Sequence, residues 1–329
     1  MVNTKLARVG LASKDNRRQN VYRALELVRD EVTARIDERL AASEERRILI
    51  KPNFLSGDNQ LASSHVDAMR GTIDFLLSMP NPPTALTIAE GGNEEYSGAA
   101  FDNFNYHTLH NEYELPIYLV DLNQETEWAE ETIFLADGST TTVHMPRSVL
   151  DASCTISVAI AKTHDVCVVT LALKNMIMGT IRHVDRVKMH GFNSHAERVL
   201  PDEAKTLNVN LMRLARHLTP DIAVIDGTRG LQGNGPGGTD GVDFGVAAAG
   251  VDVYATDAVM AKAMGFEPLE LGLLHYATEL GIGTANLDHI DVLETEIAEI
   301  RRFFKPHETT ELQMQWQNES AMELIQLKS

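Results

Sequence analysis

Short apolar runs rich in β-branched residues alternate with longer stretches in which apolar positions recur at helical spacing. The short runs at 6–11, 47–50, 85–89, 117–120, 155–160, 222–225 and 289–293 predict strands. The longer ones at 17–42, 66–78, 201–218 and 255–264 predict helices. Such alternation predicts an α/β fold, Rossmann-like, with a mostly parallel sheet and covering helices. Residues 131–145 depart from it: two β-prone runs flank Asp137-Gly138, which predicts a small β-hairpin beside the main sheet. Beyond residue 300 the chain turns polar, and 301–329 reads as a C-terminal packing arm or a partly mobile tail. Residues 1–300 therefore form a single α/β domain, with room for two lobes, 1–150 and 151–300, around a cleft.

In open α/β sheets, ligands bind beyond the carboxyl ends of the strands. The residues that follow the apolar runs here are unusually polar: Lys51-Pro52-Asn53, Glu90-Gly91-Gly92, Asp121, Lys162-Thr163-His164 and Asp226-Gly227. Each alone is ordinary loop chemistry; their recurrence on several strands predicts one shared polar crevice. The sharpest local signal lies in KTHDVCVVTLALKNMIMG, where Lys174 and Asn175 interrupt an apolar stretch. A buried lysine either provides a free amine for covalent or general-base chemistry, or stays charged against a carboxylate or phosphate. A structural ion pair is the plainer alternative. His164 and His190 are candidates for proton transfer or metal ligation, with surface placement the competing reading for any single histidine.

After the run at 222–225 comes a glycine-rich loop in which Gly233, Gly235 and Gly238 formally satisfy G-x-G-x-x-G. Pro236 lies inside the pattern and no helix start follows it, so a dinucleotide fingerprint is not established. Gly235 and Gly237 remain candidates for backbone approach to an anion, and the alternative is a conformationally demanding loop. Neither G-x-x-x-x-G-K-[ST] nor G-x-S-x-G occurs, so the P-loop and the hydrolase elbow lack their signatures.

Composition narrows the function classes. The chain has 329 residues, 43% apolar and 23% charged, with a formal charge of −18. Its pI is near 5.0. That balance opposes nucleic-acid binding, which needs a concentrated basic surface. No tract long and apolar enough for a membrane span and no signal peptide is evident, so a cytoplasmic location is expected. Two cysteines, Cys154 and Cys167, cannot supply an iron–sulfur cluster from this chain alone.

The landmarks Lys51-Pro52-Asn53, Glu90-Gly91-Gly92, Lys162-Thr163-His164, Leu173-Lys174-Asn175, Asp226-Gly227, the glycine loop and Asp257-Ala258 resemble, in that order, the prokaryotic family known as domain of unknown function 362. Some members of that family carry an added ferredoxin-like cysteine cluster, which this chain lacks. His164, Lys174 and His190, ten and sixteen residues apart, are also similar to the pattern of the nickel-pincer lactate racemases. By that resemblance His164 is an acid–base residue, Lys174 the anchor of a pincer nucleotide and His190 a ligand of a divalent metal, nickel. It also implies racemase- or epimerase-like hydroxy-acid chemistry. The racemases' second catalytic histidine has no counterpart here, because the corresponding segment reads Glu90-Gly91-Gly92-Asn93-Glu94, and Glu90 or Glu94 is the candidate replacement.

The expectation is an enzyme acting on a small anionic metabolite, with Lys162, His164 and Lys174 catalytic. Lys51, Asn53, Glu90, Thr163, Asn175, Asp226, Gly235 and Gly237 are expected around the ligand. Two other classes stay open: a noncatalytic metal- or anion-binding accessory protein, and a redox protein that uses clusters on a partner chain. A homo-oligomer is compatible with either.

Overall fold

The computed structural model describes residues 6–14, 16–93 and 98–327; Glu94, one of the candidate bases, lies outside them. In chain order the strands are β1 (Ala7–Ala12), β2 (Arg47–Lys51), β3 (Ala85–Glu90), β4 (Ile117–Asp121), β5 (Trp128–Phe134), β6 (Thr140–Pro146), β7 (Thr155–Thr163), β8 (Val169–Thr170), β9 (Ile222–Leu231), β10 (Gly241–Gly250) and β11 (Ile290–Glu294). Nine of them form one sheet in the order β11-β1-β10-β9-β7-β2-β3-β4, with β8 added to β7. Pairing is parallel except around β10 and β8. The carboxyl ends of β2, β3, β7 and β9 therefore share one edge of the sheet. β5 and β6 pair with each other as the separate hairpin, turning through Gly138 at φ +83°.

Strand side chains alternate between the two faces, and here both faces are buried. Ile48, Ile50, Ile156, Val158, Leu86 and Ile88 enter one core, while Leu49, Ala159, Ala161 and Ala89 enter the other. This two-sided burial accounts for the continuous apolar runs in the sequence. The helices α1 (Arg17–Leu27), α2 (Arg29–Leu40) and α3 (Val66–Leu77) cover the first face. The second is covered by α4 (Ala172–Met178), α5 (Asp202–Leu218) and α6 (Val253–Ala263).

Three features differ from the sequence reading. The single helix expected over 17–42 is two, because Val28 leaves helical geometry at φ −114°, ψ 26°. β10 was not expected: its GVDFGVAAAG has little β-branching, and it is held as a strand by antiparallel pairing with β1 and β9. Finally, β9 runs on to Leu231, into what reads as the start of the glycine loop.

The C-terminal arm is packed against the domain: Phe304, Trp316 and Ile325 are buried, and Arg213 donates to the carbonyls of Leu324 and Leu327 at 2.6 and 3.1 Å. Among the described residues, no helix is long and apolar enough to cross a membrane.

Candidate active site

The site is built where β7 ends. Lys162 pairs with Thr170 and Thr163 with Val169 across the short β7–β8 hairpin, so the chain doubles back directly after His164. Val168 closes this turn at φ +65°, a left-handed conformation that a β-branched residue rarely adopts. His164 N–H donates to Val168 O at 2.9 Å. From β8 the chain enters α4, whose first amides are capped by a carboxylate from α6: Asp257 accepts from Ala172 N–H at 2.8 Å and Leu173 N–H at 3.1 Å. Burial pushes that carboxyl up to about 7. Doubling back and capping together bring Lys174 onto His164, with Nζ 2.8 Å from Nε2.

His164 is nearly parallel to His190, with ring centroids 6.5 Å apart and planes at 18°. Each imidazole has a carboxylate at its Nδ1 side. His190 Nδ1 hydrogen-bonds Glu203 Oε1 at 2.6 Å, and Asp165 Oδ1 lies 3.0 Å from His164 Nδ1. One guanidinium joins the two: Arg198 donates to Glu203 and, at 3.1 Å, to Asp165. Burial lowers both histidines below the ordinary imidazole range, His164 well below it. Glu203 is held low despite its burial, because His190 and Arg198 outweigh the desolvation. With Glu203 ionised, the His190 proton sits on Nδ1 and the Nε2 lone pair is left free as a base.

Beside the histidines lies a polar network across β2, β3 and α4. Lys162 Nζ donates to Asn53 Oδ1 at 2.8 Å and Ala62 O at 2.9 Å. Asn53 Nδ2 donates to Asn175 Oδ1 at 2.9 Å, and Asn175 Nδ2 to Ser157 Oγ at 3.0 Å. Lys51 is fully buried and hydrogen-bonds Glu90 and, at 2.8 Å, Pro52 O. Burial raises Glu90 and lowers Lys51, and the pair's own attraction works against both shifts. Arg186 donates to the carbonyls of Gly91 and Gly92 and to Asn93.

These groups surround a cavity of about 150 Å³. Of the residues expected from sequence, Asn53, Glu90, Lys162, His164, Lys174, Asn175 and His190 line it. Five do not. Lys51 stands behind Glu90, and Thr163 turns its hydroxyl to Gly233 O at 2.9 Å. Asp226 is ion-paired with Arg17 at 2.6 Å and caps Thr228 N–H at 2.9 Å. Gly235 packs on the backbone of Thr163, where a Cβ would collide, and Gly237 lies near Leu55. The glycine loop thus forms part of the site's wall, with Pro236 reaching the cavity. Sequence reasoning missed Asp165, Arg186, Arg198 and Glu203. Asp257-Ala258 stands among the landmarks of the family resemblance but was not assigned to the site; it carried a signal of the kind that marked Lys174, a charge inside an apolar helix.

The family model described as Domain of unknown function (DUF362) matches residues 48–262, well over half of the chain. The chain belongs to this family. The matched region includes every residue named around the cavity. A curated relative, the Thylakoid-associated protein sll1697 of Synechocystis sp., is 23% identical over 146 residues, which is 43% of this chain and 41% of that protein. The chain thus matches less than half the length of that relative. Among solved structures, the lactate racemase apoprotein from Thermoanaerobacterium thermosaccharolyticum superposes with a TM-score of 0.42 and 12% identity, over 67% of this chain and 50% of that one.

The donor set does not by itself fit a nickel centre. Among the described residues, no group of three or more His, Cys, Asp or Glu side chains is arranged to hold a metal ion. Both His164 nitrogens are engaged, by Val166 N–H at 3.0 Å and by Lys174. Of these two histidines, His190 alone keeps an unengaged Nε2, and transition-metal sites use three or four protein ligands.

Proposed function

We propose that this chain is an enzyme that binds a small carboxylate-bearing metabolite and moves protons near its carboxyl group, with 2-hydroxy acids as the first class to test and racemisation or epimerisation as the reaction. The observation that carries the reading is the meeting of Lys174, His164 and His190 in one cavity beside Lys162, a buried amine that donates to an amide and a carbonyl. A buried lysine hydrogen-bonded to neutral acceptors is costly to charge, and a bound anion offsets that cost. Burial pushes Lys162 well below the ordinary lysine range, and a bound carboxylate would reverse that shift.

In this reading Lys162 holds the carboxylate. His190, oriented by Glu203, presents a free Nε2 as the base. The hydrogen-bonded His164–Lys174 pair is the acid partner, and Arg198 keeps both imidazoles in register. Such positioned proton transfer contributes on the order of 10²- to 10⁴-fold.

The test is chiral chromatography after incubation with single enantiomers of lactate, 2-hydroxybutyrate and malate. The wild-type chain is expected to interconvert at least one of them. His164→Ala is expected to be slower by about 100-fold or more, with an unchanged circular dichroism spectrum. No interconversion in the panel, or an undiminished rate in His164→Ala, refutes the proposal.

A further inference from the structure

The donor in the His164–Lys174 hydrogen bond is decided on the far side of the imidazole. A backbone N–H can only donate, and that of Val166 donates to His164 Nδ1 at 3.0 Å. An uncharged imidazole that accepts at Nδ1 carries its proton on Nε2. Asp165 Oδ1 is equally close to Nδ1, but Nδ1 has one site in the ring plane, for a proton or for a lone pair, and the Val166 N–H requires the lone pair. The ring is 5% exposed, and such burial favours its uncharged form. The Nε2–H therefore points at Lys174 Nζ, 2.8 Å away. A nitrogen that accepts a hydrogen bond offers a lone pair, which an amine has and an ammonium lacks. Lys174 Nζ hydrogen-bonds this imidazole, and the side chain lines the cavity with 6% of its surface exposed.

We infer that Lys174 is a nucleophile, and that its amine condenses with the carbonyl group of a small 2-oxo acid to form an imine. This inference rests on the carboxylate reading above and adds 2-oxo acids, which share the carboxylate, to the substrates of the site. The amine nitrogen attacks the carbonyl carbon, and the C=O π pair moves to oxygen, which accepts a hydrogen bond from His164 Nε2–H. A proton passes from the adduct's ammonium nitrogen to that oxygen, leaving a carbinolamine. Loss of the hydroxyl as water, with the remaining nitrogen proton, gives the imine. The sum is amine plus ketone to imine plus water, with no change of oxidation state and no added reactant. Uptake of one proton from solvent converts the imine to an iminium, which withdraws electrons from the neighbouring carbon, so that a C–H bond there becomes acidic. His190 Nε2 is the base available for it in the same cavity.

The experiment uses the full chain with pyruvate and sodium cyanoborohydride, followed by proteolysis and peptide mass mapping. L-lactate serves as the control, since it shares the carboxylate and cannot condense. Expected is a reduced pyruvate adduct on Lys174, absent in Lys174→Arg, suppressed by excess L-lactate, unchanged in the surface variant Lys205→Ala, and formed about 100-fold more slowly in His164→Ala. Thermal shift with L-lactate, compared between wild type and Lys162→Met, reads carboxylate binding separately. Stabilisation by lactate that depends on Lys162, without an adduct on Lys174, overturns the imine and leaves the carboxylate reading standing. Labelling spread over surface lysines without preference for Lys174 overturns the imine as well. Absence of both the adduct and the lactate shift overturns the two together.

Discussion

Asp257 couples the stability of the whole domain to the helix that carries Lys174. Its carboxyl is buried and titrates at about 7, whereas in the unfolded chain it returns to the ordinary value of 3.8. Between those two values the native state keeps a proton that the unfolded state has lost. Stability from this group is therefore complete below about pH 4 and is lost as pH rises through about 7. The slope is about 1.4 kcal/mol per pH unit, which makes about 2 kcal/mol between pH 5 and pH 7. Asp257→Asn removes the titration.

It also sets one amide NH₂ against Ala172 N–H or Leu173 N–H, which now share the two carboxylate oxygens. An unsatisfied donor there costs about 1–3 kcal/mol at every pH. Urea unfolding of both proteins from pH 5 to pH 8 separates the two effects, since the offset is constant and the slope is not. The difference between wild type and variant should shift by about 2 kcal/mol across that window, in the direction of a wild type that weakens as pH rises. A difference that is flat with pH would refute the buried, neutral-pH carboxyl and with it this account of how α4 is held.

Two further perturbations follow from the contacts around the histidines. Arg198→Ala leaves the buried Glu203 with His190 alone and Asp165 without its guanidinium, so a loss of about 2 kcal/mol is expected in urea unfolding. A change within error would mean that Arg198 does not tie the two imidazoles together. Gln313→Leu tests the arm: Gln313 Oε1 accepts from Val168 N–H at 2.7 Å, and Thr309 Oγ1 donates to Asp165 O at 3.1 Å. Removing the acceptor should raise hydrogen exchange over residues 164–170 and cost about 1–3 kcal/mol. Unchanged exchange there would show that the left-handed turn at Val168 stands without the arm.

The polarity of the residues just past each apolar run made the crevice legible in the sequence, because parallel strands place those residues on one edge. Lys174 was legible for a different reason: an ionisable side chain in an apolar stretch needs a partner, and its partner lies ten residues back. Arg198 and Glu203 gave no such sign. They sit in a polar loop and in the first turn of α5, where charges are commonplace, and only the path between α4 and α5 brings them to the histidines. The glycines of the 233–238 loop misled for a related reason. A glycine required for close approach to Thr163 and one required for approach to an anion read the same in one dimension. β10 was hidden because its alanines and glycines carry little intrinsic strand preference, and the pairing with β1 and β9 is long-range information.

The central claim is that Lys162, His164 and Lys174 form a receptor for a small carboxylate. Isothermal titration of the wild-type chain with pyruvate addresses it most directly. The account predicts saturable binding that is lost in Lys162→Met. No binding, or binding unchanged in Lys162→Met, would contradict it.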